Sequence, residues 1–129
     1  MARVVSTNAF SRGRAVQINA KLFRERMRFE ARVNIVDDMG TSVGHFEPRF
    51  ERFCQLQLLR GTENVISARL GGVQPALIFV RYDSETIQIN ADWRAVDVRS
   101  GKEYAIRNIE DMERQKHFLT LIVESGVAA

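Results

Sequence analysis

Trp93-Arg94-Ala95-Val96-Asp97-Val98-Arg99, then Ser100-Gly101, then Lys102-Glu103-Tyr104-Ala105-Ile106-Arg107-Asn108-Ile109 is the stretch whose reading decides the fold. The first run alternates, Ser100-Gly101 supplies a two-residue turn, and the second run returns. A two-residue turn needs positive φ at a central position, which Gly accepts without a Cβ clash. The stretch therefore predicts a β-hairpin in which Val96 and Val98 face Tyr104 and Ile106. After a polar connection from Glu110 to Lys116, His117-Phe118-Leu119-Thr120-Leu121-Ile122-Val123-Glu124 reads as a further strand closing the chain.

Working back from the hairpin, the same period recurs. Met27, Phe29, Ala31, Val33 and Ile35 share one face of an extended segment, with Arg28, Glu30, Arg32 and Asn34 on the other, which is the pattern of a half-buried strand. Asp37-Asp38-Met39-Gly40 ends it with turn chemistry. Thr41 to Pro48, containing Gly44 and Pro48, reads as loop. Arg49 to Arg60 alternates again but carries apolar residues on both faces, as expected of a central strand or one meeting another subunit. Pro75 restarts an extended run, Ala76 to Tyr82, and Asp83-Ser84 turns it into another, Thr86 to Asn90.

Two stretches break the β-period. Ala15, Ile18, Leu22 and Phe23 fit one helical stripe, predicting a short helix within Arg14 to Arg26. In Gly61 to Gly72, Thr62 can cap one or two helical turns bearing Val65, Ile66 and Leu70, stopped by Gly71-Gly72. That segment is expected to project from the body, with Val65, Ile66 and Leu70 poorly covered. Met1 to Gly13 shows no sustained period and reads as an arm that orders on docking. The expectation is a mainly β protein: a small antiparallel barrel or sandwich over residues 14–129, preceded by the arm at 1–13, with a short N-terminal helix and a mid-chain loop or short helix.

Composition narrows the function classes. A chain of 129 residues, 45% hydrophobic and 27% charged, suits one soluble folded domain. No apolar run approaches the roughly 20 residues a bilayer crossing needs, and Met1 to Ser6 lacks the apolar core of a signal peptide, so no membrane partner is expected and the cytoplasm of the producing cell is the expected address. The single cysteine, Cys54, excludes an intrachain disulfide and a four-thiolate metal site. Beside Phe53, Leu56 and Leu58 it reads as a buried strand thiol, and neither His45 nor His117 is placed to activate it. The carboxylate pairs Asp37-Asp38 and Asp92/Asp97 fall in a turn or on outward positions, where they are solvated rather than catalytic. Phosphate-binding glycine loops, nucleophile elbows and metal-ligand spacings are absent, so no enzyme activity, cofactor or metal is expected.

The net charge of +3 is unevenly spread: residues 1–32 carry eight basic and two acidic groups, and the remainder eleven basic and fourteen acidic. A basic arm on a nearly neutral body suits contact with phosphate or an acidic protein surface. With Arg81, Arg94, Arg99 and Arg107 on strands, one reading is a stand-alone small-barrel module that binds nucleic acid. Single-strand binding also requires exposed aromatics between the basic groups, whereas Phe79, Tyr82, Trp93 and Tyr104 sit where core packing accounts for them.

The ordered set of motifs points elsewhere. Leu22 with Arg26-Met27-Arg28-Phe29, Asp38-Met39-Gly40, Arg60-Gly61-Thr62-Glu63, Ile78-Phe79-Val80-Arg81, Asp92-Trp93-Arg94 through Gly101, Tyr104-Ala105-Ile106 with Asn108-Ile109, Arg114, and Leu119 to Glu124 follow one another from about residue 20 to 124. This series resembles the head–tail joining proteins (adaptor, stopper or head completion) of long-tailed bacteriophages and phage-like gene-transfer particles. The resemblance implies a structural subunit of the particle neck, assembled in the bacterial cytoplasm. Its implied partners are further copies of itself in a ring, a portal-side adaptor, a tail-side terminator or tail tube protein, and double-stranded DNA passing non-specifically through a central channel. The candidate channel or subunit contacts are Arg60, Glu63, Asn64, Val65, Ile66, Arg69 and Leu70. The candidate arm contacts are Arg3, Phe10, Arg12 and Arg14.

Overall fold

The structure, a computed structural model, describes residues 3–6, 15–110 and 117–126. Strand β1 (Arg3–Ser6) pairs antiparallel with β2 (Ala15–Ile18) as a two-stranded sheet. A single 3-10 turn, Ala20–Leu22, follows, capped by the Asn19 side chain, whose Oδ1 accepts the Lys21 N–H. Then come β3 (Glu25–Val36), β4 (Ser42–Leu58), helix α1 (Glu63–Leu70), β5 (Gln74–Arg81), β6 (Arg94–Asp97), β7 (Glu103–Glu110) and β8 (Phe118–Ser125). The last six strands close into an antiparallel barrel in the order β3-β4-β5-β8-β7-β6. The seam that closes it is short, four pairs from Met27 opposite Asp97 to Glu30 opposite Arg94.

Alternation along each strand sorts the side chains into two cores. Facing inward are Met27, Phe29 and Ala31 of β3, Cys54 of β4, Ala76, Ile78 and Val80 of β5, Tyr104 and Ile106 of β7, and Leu119, Leu121 and Val123 of β8. Trp93 (7% exposed) fills the end of this interior, its ring 6.1 Å from that of Phe50, which in turn lies 5.4 Å from Phe29. A bulge in β7 at Arg107 restores phase, so that Ile109 again faces inward opposite Leu121. The opposite faces of β5 and β8 present Leu77, Phe79 and Ile122 to a second cluster outside the wall, where Ile18, Leu59 and Val65 cover them. Burying both faces of β5 and β8 explains their continuous apolar runs.

Four local expectations are corrected. The helix expected within Arg14 to Arg26 is instead β2 and the 3-10 turn, because Ala15–Ile18 finds a strand partner in β1 and Ile18 a place in the outer cluster. The loop expected at Thr41 to Pro48 is strand: Pro48 sits beside a β-bulge between Phe29 and Glu30 on the partner register, where a missing N–H is tolerated, and Gly44 makes room for a guanidinium. A Cβ on Gly44 would lie 3.0 Å from Arg32 Nη2. The strand expected at Thr86 to Asn90 is a 3-10 turn, Thr86–Gln88. There Asp83 Oδ1 accepts the N–H of Glu85 and Thr86, and buried Thr86 donates Oγ1–H to the Arg81 carbonyl, a local bonding pattern that outcompetes a ladder. The hairpin from Trp93 forms, but its loop spans Val98 to Lys102 rather than two residues. Asp97 donates its N–H to the Lys102 carbonyl and takes Arg99 N–H on its side chain, which leaves Gly101 at φ 77° and places Ala95, not Val96, opposite Tyr104.

Candidate functional site

With its interior filled, the barrel can act only through its outside. Two features stand out there, a β-ribbon and a helix. β3 pairs with β6 only up to Glu30, and β4 pairs with β5 only from Gln55, whereas β3 and β4 pair with each other from Glu25 and Cys54 out to Val36 and Ser42. The six pairs from Ala31 to Val36 therefore form a two-stranded ribbon reaching roughly 20 Å past the seam, at 3.4 Å per residue. Its tip is closed by Asp37, whose Oδ1 accepts Met39 N–H at 2.9 Å and Thr41 N–H at 2.8 Å, as the Asp37 to Gly40 turn chemistry predicts. Ile35, Val36, Met39 and Val43 are all exposed around this turn, Ile35 directly opposite Val43. A cluster of bare apolar groups on a projecting edge is the usual sign of a partner surface.

The base of the ribbon is held by charge. Glu30, on the seam, accepts Arg28 Nε and Arg94 Nε at 2.6 Å each, and Arg94 also reaches Glu103 at 2.7 Å. Burial alone would push the Glu30 carboxyl up, but the hydrogen bonds from the two arginines and their charges outweigh it and hold its pKa below the usual value. The ring of Phe46, from the ribbon, lies 4.2 Å from the Arg94 guanidinium carbon, which ties ribbon to barrel. Arg52 likewise bonds Asp83 and Glu85, fixing β4 to the turn after β5.

Helix α1 is capped as its sequence suggests, with Thr62 Oγ1 accepting Val65 N–H at 3.2 Å. It does not hang free: Val65, 2% exposed, packs with Leu59, Leu77 and Phe79 on the barrel wall, so the expectation that Val65 is poorly covered is corrected. Ile66 and Leu70 do stay exposed, as do Arg60, Glu63, Asn64 and Arg69. The arm residues divide: Arg3 belongs to β1, while Phe10, Arg12 and Arg14 lie outside the described residues.

The structure does not gather the remaining candidates into a nucleic-acid platform. Phe79, Trp93 and Tyr104 are buried. Arg81 lies over the rings of Phe23 and Phe118, Arg94 is in the seam network, and Arg107 pairs with Glu124 at 2.8 Å. Arg99 follows β6, at the opposite end of the barrel from Arg81, which ends β5. Cys54 is buried, and burial pushes its thiol pKa far up, as expected for an inert strand cysteine. Among the described residues no three His, Cys, Asp or Glu side chains converge as metal ligands, and no helix is long and apolar enough to cross a membrane.

The ribbon tip was missed by reading Thr41 to Pro48 as loop. The signal available was the alternation of β3 running unbroken to Ile35 and the turn placed symmetrically between Ile35 and Val43.

One comparison decides the family. The model of the phage head completion protein family matches residues 18–126, taking in the whole barrel, the ribbon and α1. The chain belongs to that family. This member of the head completion family is thus a structural component of a phage or phage-like particle. Its fold is similar to that of a Shigella flexneri 2a protein solved in solution, with a TM-score of 0.63 at 17% identity over 87% of this chain and 100% of that one. It is also similar in fold to a chain of the native gene transfer agent virion, with a TM-score of 0.58 at 17% identity over 82% of this chain and 96% of that one. No curated protein matches the head completion chain in sequence.

Proposed function

We propose that copies of this chain form a ring at the neck of a phage or phage-like particle, close the DNA-filled head as a stopper, and join it to the tail. The observation that carries this reading is the division of labour in the fold: a barrel packed solid, with most of its large exposed apolar groups, Ile35, Val36, Met39, Val43, Ile66 and Leu70, outside on the ribbon tip and on α1. Phe29, Phe50 and Trp93 fill the barrel, so in this reading DNA passes through the ring and not through a subunit. Arginines paired with carboxylates, Arg26 with Glu51 and Arg107 with Glu124, give the outside a mixed charge. Such a surface suits passage, because a continuous basic lining would hold phosphates in a salt-dependent grip. Glu63 and Arg69 of α1 are a similar mixed pair for a channel or subunit contact. The fold likeness to a chain of a gene transfer agent virion accords with a part in such a particle.

The ring has two faces, and its partners follow: a portal-side adaptor on one, a tail terminator or tail tube protein on the other. The arm at 1–13, with Arg3, Phe10, Arg12 and Arg14, docks on a neighbouring subunit or ring. Electron cryomicroscopy of the particle neck tests the placement. A ring of this barrel between portal and tail is expected, and its density in the tail tip or inside the capsid shell would overturn the reading.

A further inference from the structure

Two exposed surfaces of matching apolar character lie at opposite ends of the barrel, one with Asp37 and Asp38 as its charges and one with Arg60 and Arg69 beside Glu63. The ribbon tip bears Ile35, Val36, Met39 and Val43 with Asp37 and Asp38 between them, Met39 being 91% exposed. Asp37 is engaged in the turn, which leaves Asp38 as the carboxylate directed to a partner. Helix α1 bears Ile66 and Leu70, one helical turn apart, with Arg69 beside Leu70 and Arg60 on the approach to the helix, Leu70 being 86% exposed. Neither Arg60 nor Arg69 has an ion-pair partner among the described residues.

Strand direction fixes how far apart these surfaces are. β3 runs toward the ribbon tip, while α1 joins the end of β4 to the start of β5 at the other end of the barrel. The tip of one copy therefore points away from its own α1. We infer, resting on the ring reading above, that the β3–β4 tip of each copy docks on α1 of the next copy, head to tail. The apolar groups supply affinity, and Asp38 against Arg60 and Arg69 sets orientation. Contact between two different patches is what propagates around a ring, whereas a patch that paired with itself would stop at a dimer. The helix is a firm receptor, since Val65 anchors it to the wall, and the ribbon is a firm ligand, since Glu30, Arg94 and Phe46 fix its base.

The test is cross-linking in particles made by a producing strain that carries Met39→Cys and Leu70→Cys in this chain. Both positions are exposed, and the native Cys54 is buried and stays silent. A bis-maleimide followed by a denaturing gel should give a ladder of multimers with the double variant and monomer with either single variant. Monomer alone, from particles that contain the double variant at normal yield, overturns this contact and leaves the head–tail role standing. A product that stops at dimer overturns it too, because the contact would then be self-complementary. Wild-type particles whose necks lack the chain would instead overturn the role on which the inference rests. As a second arm, Asp38→Lys should lower particle yield about tenfold, as like charges brought together at a contact do, and Arg69→Glu combined with it should restore most of the yield. Failure of both Arg69→Glu and Arg60→Glu to restore it would overturn the proposed charge pairing.

Discussion

Glu30 and Arg94 face each other on the seam that closes the barrel, Arg94 Nε donating to Glu30 Oε1 at 2.6 Å from the last of only four β3–β6 pairs. A ladder that short gives little stability by itself, so the ion pair does much of the closing. Glu30 is nearly buried, and removing one partner leaves a carboxylate with unmet demand. Arg94→Ala is expected to cost about 3 kcal/mol, near the lower end for breaking a buried pair, because Arg94 is itself partly exposed and Arg28 remains. Urea denaturation measures it. Arg94→Lys should recover only part of the loss, since an ammonium cannot serve Glu30 and Glu103 together as the planar guanidinium does. A cost under about 0.5 kcal/mol for the alanine variant would show a pair behaving like a surface one.

The same pair sets an acid limit. The folded-state pKa of Glu30 is lowered, burial being outweighed by Arg28 and Arg94, so its stabilisation is complete above the unfolded value near 4.5 and is lost as pH falls through the lower folded value. Asp83 behaves likewise: burial raises its pKa, but Arg52 and the N–H groups of Thr86 and Glu85 more than offset that. Thermal melts of wild type and Glu30→Gln should differ most at neutral pH, and the gap should shrink as pH falls below the unfolded value near 4.5 and on through the lower folded value. A gap that stays constant down to the most acidic pH would mean that the carboxylate contributes nothing as an anion.

Trp93 closes one end of the interior against Phe50. Trp93→Ala is expected to cost about 3–5 kcal/mol, the usual loss for a large buried aromatic. Equilibrium unfolding reads it directly where the variant is soluble. An unchanged melting temperature would move the ring from core to contact surface.

Cys54 should resist thiol reagents in the folded chain, because it is buried and burial keeps it protonated. Modification should appear only with denaturant, along the global unfolding curve. Reaction at the rate of a free thiol in native buffer would mean that β4 opens locally at Cys54.

Much of this fold is legible in the sequence, and the places where it is not share a cause. Alternation found β3, β5, β7 and β8 and put Trp93 inside, because burial on a pleated sheet has period two and is set by residues within the strand. The same logic failed at Thr41 to Pro48, where Gly44 and Pro48 are tolerated only because β3 lies alongside and Arg32 needs the space, neither of which is local. Thr86 failed in the opposite sense: Asp83 and Arg81 capture it through hydrogen bonds that a hydropathy pattern does not register. At the candidate site, Thr62 and the paired glycines announced α1, but the covering of Val65 depends on the outer face of β5. The ribbon tip was hidden because exposed Ile35 and Val43 continue a pattern that elsewhere means burial.

The central claim is that this chain joins heads to tails, and the most direct measurement is a joining assay with the chain supplied separately. A producing strain lacking only this gene should yield DNA-filled heads and free tails. Adding the purified protein to the mixed lysate should restore tailed, infective or gene-transferring particles in proportion to the amount added. Intact tailed particles from the deletion strain without any addition would contradict the claim.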